Sequence, residues 1–177
     1  MDKKGEKIIL RSMRWEDLDD LLELANGLVS EREFNPDLGI LLDKKQTRDS
    51  EAQFLSSMLL GIENGSVVNV VAEVNGKVVA NSEVMRGKSS DEYYHGKLGI
   101  AISRKYRDLG IGREMLKTLI EESSKSQLKT LELEAFADND KALHVYDSLG
   151  FRRVGTIPKK IFRKDKFHDI VVMSMVL

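Results

Sequence analysis

The hydrophobic positions switch between helical and strand periods along the chain, and the switches mark out the elements. Residues 6–12, EKIILRS, read as a first strand. In RWEDLDDLLELANGL (14–28), Leu18, Leu21, Leu22, Ala25 and Leu28 fall at helical spacing, with acids in the early turns. The segment 29–47 mixes apolar residues with Pro36 and Gly39 and reads as a loop or a short broken helix. Helical period resumes in SEAQFLSSMLLGIENG, where Phe54, Leu55, Met58, Leu59 and Ile62 share a side and Gly65 supplies a stop. VVNVVAEV and KVVANSEVMR are β-rich and joined by Asn75-Gly76, a strong hairpin signal.

The second half repeats this grammar. Residues 92–103, EYYHGKLGIAIS, predict a strand. Ile111, Met115, Leu116, Leu119 and Ile120 form the stripe of a helix. KTLELEAFA (129–137) alternates, with Leu131, Leu133 and Ala135 on one face and Glu132, Glu134 and Phe136 on the other. DNDKALHVYDSLGF predicts a short helix capped by Asp138 or Asn139 and ended by Gly150. The last 26 residues read as two strands around RKDK. The order β-α-α-β-β-β-α-β-α-β-β, with no repeat and no low-complexity linker, predicts a single mixed α/β domain over residues 1–177, its helices covering a central sheet.

Composition narrows the chemistry. The 177 residues are 41% hydrophobic and 32% charged with a net charge of −1, which fits a globular chain and argues against a dedicated nucleic-acid surface. With no cysteine, disulfides, thiolate nucleophiles and thiolate metal sites are excluded. The chain shows neither a signal-like N-terminal apolar run nor a window of membrane-span length, so the expectation is a cytoplasmic protein with no membrane partner.

The sharpest local feature is RDLGIG (107–112), a glycine-rich turn between a strand and a helix. Amides at a helix N-terminus point outward and the helix dipole favours an anion there, while Arg107 and Arg113 add charge. Two glycines alone equally mark an ordinary tight turn. The dinucleotide fingerprint fails because Met115 stands where its third glycine belongs, and the Gly-Lys-Ser/Thr ending of a P-loop is absent.

IAISRKYRDLGIGREML (100–116) resembles the acetyl-coenzyme A motif of the GNAT superfamily of N-acetyltransferases, Arg/Gln-x-x-Gly-x-Gly/Ala, filled here by Arg107, Gly110 and Gly112. ADNDKALHVYDSLGF is similar to a second pattern of that family, with Asn139, Ala142, Tyr146, Gly150 and Phe151 in register. The resemblance covers residues 6–176 in element order. It implies a central, mostly antiparallel twisted sheet of about seven strands with helices on both faces. It also implies acetyl-coenzyme A as co-substrate, with the pyrophosphate on the amides of Arg107, Asp108, Leu109, Gly110, Ile111, Gly112 and Arg113. Ile100, Ala101 and Ile102 would offer backbone hydrogen bonds to the thioester and pantetheine arm, on a strand that splays from its neighbour. Asn139 would lie near the pantetheine and Tyr146 near the thioester sulfur. Homodimerisation enters only as a habit of the family.

The implied reaction moves an acetyl group from a thioester to a primary amine of a small molecule, a lysine or a protein N-terminus. Without a cysteine there is no cysteinyl acyl-enzyme, so direct attack in a ternary complex is the simpler route. The amine must lose a proton and the leaving thiolate must gain one. Tyr146 is the candidate acid. Glu134, five residues before Asn139, is the candidate base by analogy with ribosomal-protein N-terminal acetyltransferases. Glu132 beside it could raise one pKa by like-charge repulsion, or both could line a solvated face. His95 is a further candidate base or a plain strand residue, as are His144 and His168, and Asp169 reads as structural. Three scattered histidines give no metal-ligand spacing, so no metal is expected.

By the same resemblance the acceptor groove involves residues 27–47 and 157–168. Glu31, Glu33, Asp37 and Asp43 stand there among Arg32, Lys44 and Lys45, opposite the basic PKKIFRKDK, and Phe34, Tyr93 and Tyr94 are candidate groove residues. Two rivals stay open: a non-catalytic acyl-coenzyme A-binding regulatory module, and a nucleotide-binding domain of another type.

Overall fold

The computed structural model describes residues 7–35, 38–39 and 41–177. Seven strands and four helices follow the expected order: β1 (Ile8–Arg11), α1 (Leu18–Phe34), α2 (Arg48–Glu63), β2 (Val67–Val74), β3 (Lys77–Arg86), β4 (His95–Ile102), α3 (Ile111–Lys125), β5 (Thr130–Phe136), α4 (Asp140–Ser148), β6 (Arg152–Arg163) and β7 (Lys166–Val176). The strands form one sheet in the order β1-β2-β3-β4-β5-β7-β6. Every pairing is antiparallel except that of β4 with β5.

Strand alternation sorts the core into two layers. Val68, Val70 and Val84 pack with Leu116 and Leu119 of α3 and Leu143 of α4. Val67, Val71 and Val78 pack on the other face against Leu18 and Leu21 of α1 and Leu55 and Met58 of α2. Asn69 interrupts this second layer, but its amide is satisfied. It donates to Asn81 Oδ1 at 2.8 Å and to the Ser82 carbonyl at 2.9 Å, and its Oδ1 accepts from the Met13 amide.

Three boundaries differ from the pattern reading. Helix α1 continues to Phe34, because Val29 and Glu31 are buried and hold its last turns down. Helix α2 starts two residues early, at Arg48, where the Thr47 side chain accepts from the Ser50 amide. Tyr93 and Tyr94 precede β4 and lie outside the strand expected over 92–103. Glu6, the expected start of β1, lies outside the described residues.

The feature that shapes the molecule is where β4 and β5 part. Their parallel register runs His95↔Thr130, Gly96↔Leu131, Lys97↔Glu132, Leu98↔Leu133 and ends there. Beyond it β4 stays paired with β3 as far as Ala80↔Ile102, and β5 with β7 as far as Phe136↔Ile170. Residues 99–102 therefore present one backbone edge to a wedge in the middle of the sheet. The Ile102 carbonyl on that edge accepts from Arg107 Nε at 2.9 Å.

A buried ion pair fastens α1 beside the wedge. Arg107 Nη1 and Nη2 donate to Glu31 Oε1 and Oε2 at 2.6 and 2.7 Å, and the Glu31 side chain is 5% exposed. Burial pushes the Glu31 carboxyl up, but hydrogen bonds from Arg107 and Asn35 outweigh it and hold it below the ordinary range. Breaking one side of such a pair typically costs about 3–5 kcal/mol. Glu31→Ala should lower the melting temperature far more than Glu23→Ala, which removes an exposed partner of Lys77. Because the Glu31 pKa is depressed, its contribution is present above the ordinary carboxylate value and lost as pH falls through the folded one. The gap between the two variants should narrow in acid, as thermal melts across pH will show.

Candidate active site

A cavity of about 1400 Å³ occupies the wedge, walled by α1, α2, β3, β4, the turn before α3, β5 and α4. At one end stands the glycine turn. Gly110 caps α3 with φ 90°, open space where a Cβ would sit, and no capping side chain. Asp108 is also left-handed, at φ 61°. The first-turn amides of Ile111, Gly112 and Arg113 have no intrahelical acceptor and form the positive end of the helix dipole. Gly112 is required for contact rather than for φ: a Cβ there would lie 2.8 Å from Ile102 Cδ1, holding α3 off β4.

The side chains of this turn are engaged. Arg107 does not lend a free charge to the anion site, since both ends of its guanidinium serve Glu31 and Ile102. Asp108 faces Lys141 of α4 at 2.8 Å, which ties the turn to the next helix. Arg113, together with Ile100, Ala101, Ile102 and Gly110, lines the cavity.

Helix α4 brings two of the expected residues to the wall. Asn139 is the N-cap, its Oδ1 accepting from the Ala142 amide at 3.2 Å. Tyr146 follows two turns later, 8% exposed, its ring edge-on to Phe151 at 6.0 Å. Burial pushes its phenol up to about 12, so it stands protonated and able to donate throughout the neutral range.

The carboxylates are arranged differently from the sequence reading. Glu134 lines the cavity but bonds Lys97 Nζ at 2.9 Å and also Lys160 Nζ. Burial raises its pKa, but the hydrogen bonds from Lys160 and Lys97 more than reverse that, leaving the carboxyl below its ordinary value. A like-charge pair with Glu132 that raises a pKa is thus not what the fold builds. Glu132 and Glu134 are half-buried on this face, while farther along it Phe136 is 2% exposed beneath Arg163, whose guanidinium carbon lies 5.2 Å from the ring centre.

The carboxylate with the opposite character is Glu83 on β3, which the sequence reading passed over. Its register partner on β4 is Gly99, where a Cβ would sit 2.6 Å from Glu83 Oε1. The missing side chain lets the carboxyl lie across β4 toward the wedge. Burial pushes Glu83 up, partly offset by one hydrogen bond from Asn81 Nδ2 at 2.8 Å. That amide is oriented in turn, because Asn81 Oδ1 accepts from Asn69. Glu83 is thus a positioned, desolvated carboxyl with no cation paired to it among the described residues.

The remaining candidates fall elsewhere. His95 bonds Thr130 at the far end of β4 and does not line the cavity. Tyr93 lies under Arg86 at 4.3 Å with Tyr94 edge-on to it, and Phe34 lies under Arg104 at 5.2 Å, on a separate smaller depression. Asp169 is structural: its Oδ1 accepts from the Lys159 amide at 2.7 Å in the irregular part of β6. The basic hairpin is a roof, since Arg163 donates to the Leu38 carbonyl at 2.6 Å and Lys164 bonds the Glu33 carbonyl. Asp37 and Pro36 lie outside the described residues. No metal-binding group of His, Asp and Glu occurs among the described residues.

Removing the Glu83 charge gives a stability test. A carboxyl whose pKa is raised by folding contributes fully below its unfolded value and loses that contribution as pH rises through the folded one. Glu83→Gln should therefore melt above the parent near pH ~8 and level with it near pH ~4, with about 2–4 °C for each kcal/mol gained.

Comparison with known proteins agrees with this geometry. The sequence model of the acetyltransferase (GNAT) family matches residues 28–151. The [ribosomal protein bS18]-alanine N-acetyltransferase of Escherichia coli K12 is 36% identical over 77 residues, which are 43% of this chain and 51% of that protein. The chain thus spans about half the length of that curated relative. The acetyltransferase of GNAT family from Streptococcus pneumoniae superposes with a TM-score of 0.85 at 22% identity, covering 97% of this chain and 100% of that one. A GNAT superfamily phosphinothricin acetyltransferase from Sinorhizobium meliloti, solved in complex with acetyl-coenzyme A, superposes at 0.82 with 17% identity, covering 96% and 88%. The wedge in the sheet, the uncapped glycine turn and the matched residues lead to one assignment: the chain belongs to the acetyltransferase (GNAT) family.

Proposed function

We propose that this protein transfers the acetyl group of acetyl-coenzyme A to a primary amine by direct attack in a ternary complex. The observation that carries the reading is one cavity lined by an uncapped helix N-terminus, by the strand edge left unpaired where β4 and β5 part, and by both Tyr146 and Glu83. The residues fit the donor. The amides of residues 108–113 suit a pyrophosphate, and the edge of Ile100, Ala101 and Ile102 suits the amide-bearing pantetheine arm. Asn139 stands on the opposite wall. When bound, acetyl-coenzyme A supplies the activated thioester.

The protein's own residues manage the protons. A protonated alkylamine has a pKa near about 10.4 and cannot attack. We assign the base to Glu83 rather than Glu134, because desolvation makes Glu83 the stronger proton acceptor while two lysines weaken Glu134. Glu83 takes the ammonium proton and passes it to solvent, the amine nitrogen bonds the carbonyl carbon, and the nitrogen loses its second proton to solvent as the carbon–sulfur bond breaks. Tyr146 gives its hydroxyl proton to the departing sulfur and regains one from solvent. Its raised pKa keeps the phenol protonated, so a hydrogen-bond and proton donor is in place when negative charge develops on the sulfur.

Two measurements test this. Acetyl-coenzyme A at about 100 times its Kd should stabilise the protein by about 2.7 kcal/mol, and Tyr146→Phe should keep that shift while losing roughly 100- to 10,000-fold in kcat. Undiminished turnover by Tyr146→Phe removes it as the acid. In pH profiles of kcat/KM, the parent should show an acid limb set by a carboxylate above the ordinary range, and Glu83→Gln should lack that limb. If Glu134→Gln abolishes the limb instead, the base assignment reverts to Glu134.

A further inference from the structure

One buried carboxylate takes no part in this scheme. Glu51, in the first turn of α2, is 5% exposed and lines the cavity. Its carboxylate has no ion pair or hydrogen bond among the described residues, and burial raises its pKa with nothing opposing it. Acids commonly stabilise a helix from an exposed first-turn position. Glu51 is buried instead, where an uncompensated charge is unfavourable. The helix has an ordinary cap in Thr47 and does not depend on it.

The surroundings define what would complete it. Arg48 of α2 bonds Asp19 of α1 at 3.0 Å, so the first turn of α2 lies beside the start of α1. Glu31, the contact of α1 with the cofactor turn, is 12 residues further along, about 18 Å of helix. The wall between is apolar, built from Leu21, Leu24, Leu28 and Phe54. Among the described residues lining the cavity, the lysines and arginines are Arg104, Arg107, Arg113 and Lys141, all at the cofactor end. Among the described residues, Glu51 and Glu83 thus line the same cavity with no cation paired to either, whereas Glu134 on its wall is held by Lys97 and Lys160, and Leu21, Leu24 and Phe54 give the cavity apolar surface.

We infer that Glu51 binds a second cationic nitrogen of the acceptor, making the substrate an aliphatic diamine or polyamine. This rests on the acetyltransferase reading above. One nitrogen approaches Glu83 and reacts while the other pairs with Glu51, and the methylenes between them lie on the leucines. Charge-assisted hydrogen bonding to a buried carboxylate is among the stronger polar contacts. An amino acid fits poorly, because its own carboxylate would face both glutamates.

The test compares kcat/KM for diaminoalkanes from diaminopropane to diaminohexane with the matching monoamines, free amino acids and a peptide beginning with alanine. The parent should favour the best diamine at least about tenfold over its monoamine. Glu51→Gln should bring that ratio close to one, mainly through KM, and should melt no lower than the parent at neutral pH. Titration of the same diamine into the coenzyme A-bound protein should show a matching loss of affinity in Glu51→Gln, independently of turnover. Acetylation of amines with a diamine-to-monoamine ratio near one, a ratio unchanged in Glu51→Gln, or preference for the peptide or an amino acid overturns the inference and leaves the acetyltransferase reading standing. Failure to acetylate any amine, with no diamine binding, overturns both.

Discussion

The molecule depends on a single interruption of its sheet. A parallel ladder between β4 and β5 that stops after four residue pairs leaves polar backbone exposed inside a fold that otherwise pairs its strands. That is tolerable only because each strand keeps its other neighbour, and because a cavity replaces the missing partner. The neighbouring elements serve the same gap. Gly112 lets α3 sit close against Ile102, Arg107 reaches back to the Ile102 carbonyl, and Glu31 draws the end of α1 to the same spot. Helix α1 is therefore anchored directly to the glycine turn.

Electrostatics divide the cavity along its length. At the donor end, cations and helix amides favour an anion, and the one deeply buried acid there, Glu31, is neutralised by Arg107. Elsewhere on its wall Glu83 and Glu51 have no cation among the described residues, and burial raises both carboxyls. Each would be more comfortable as an amide. Their retention as acids is a local conflict between stability and chemistry of the kind that marks working sites. Tyr146 is its counterpart on α4, a phenol kept protonated by burial opposite carboxyls primed to accept.

Much of this was legible from the chain because the signals were local. Hydrophobic period located the seven strands and four helices, and the Asn75-Gly76 turn fixed the β2–β3 hairpin. RDLGIG, Asn139 and Tyr146 stood out since turn, cap and helix register are short-range properties. The surroundings of the charges were not legible, because their partners are remote in sequence. Arg107 looked like a phosphate ligand, yet Glu31 is 76 residues away. Glu134 looked like a free base, but its lysines come from β4 and β6, 37 and 26 residues distant. Glu83 sits in NSEV, an alternation that reads as a solvated strand face. Only the Glu83↔Gly99 register and the Asn69–Asn81 relay show that it is buried and aimed. Glu51 resembles any first-turn acid until α1 covers it.

The central claim is that the gap between β4 and β5 receives acetyl-coenzyme A, and amide hydrogen exchange addresses it residue by residue. Slowed exchange on adding acetyl-coenzyme A should concentrate at residues 99–102 of β4 and 108–113 of the glycine turn, with the β6–β7 pairing unchanged. Protection spread elsewhere, or unaltered exchange at both segments while the ligand is bound, would contradict the account.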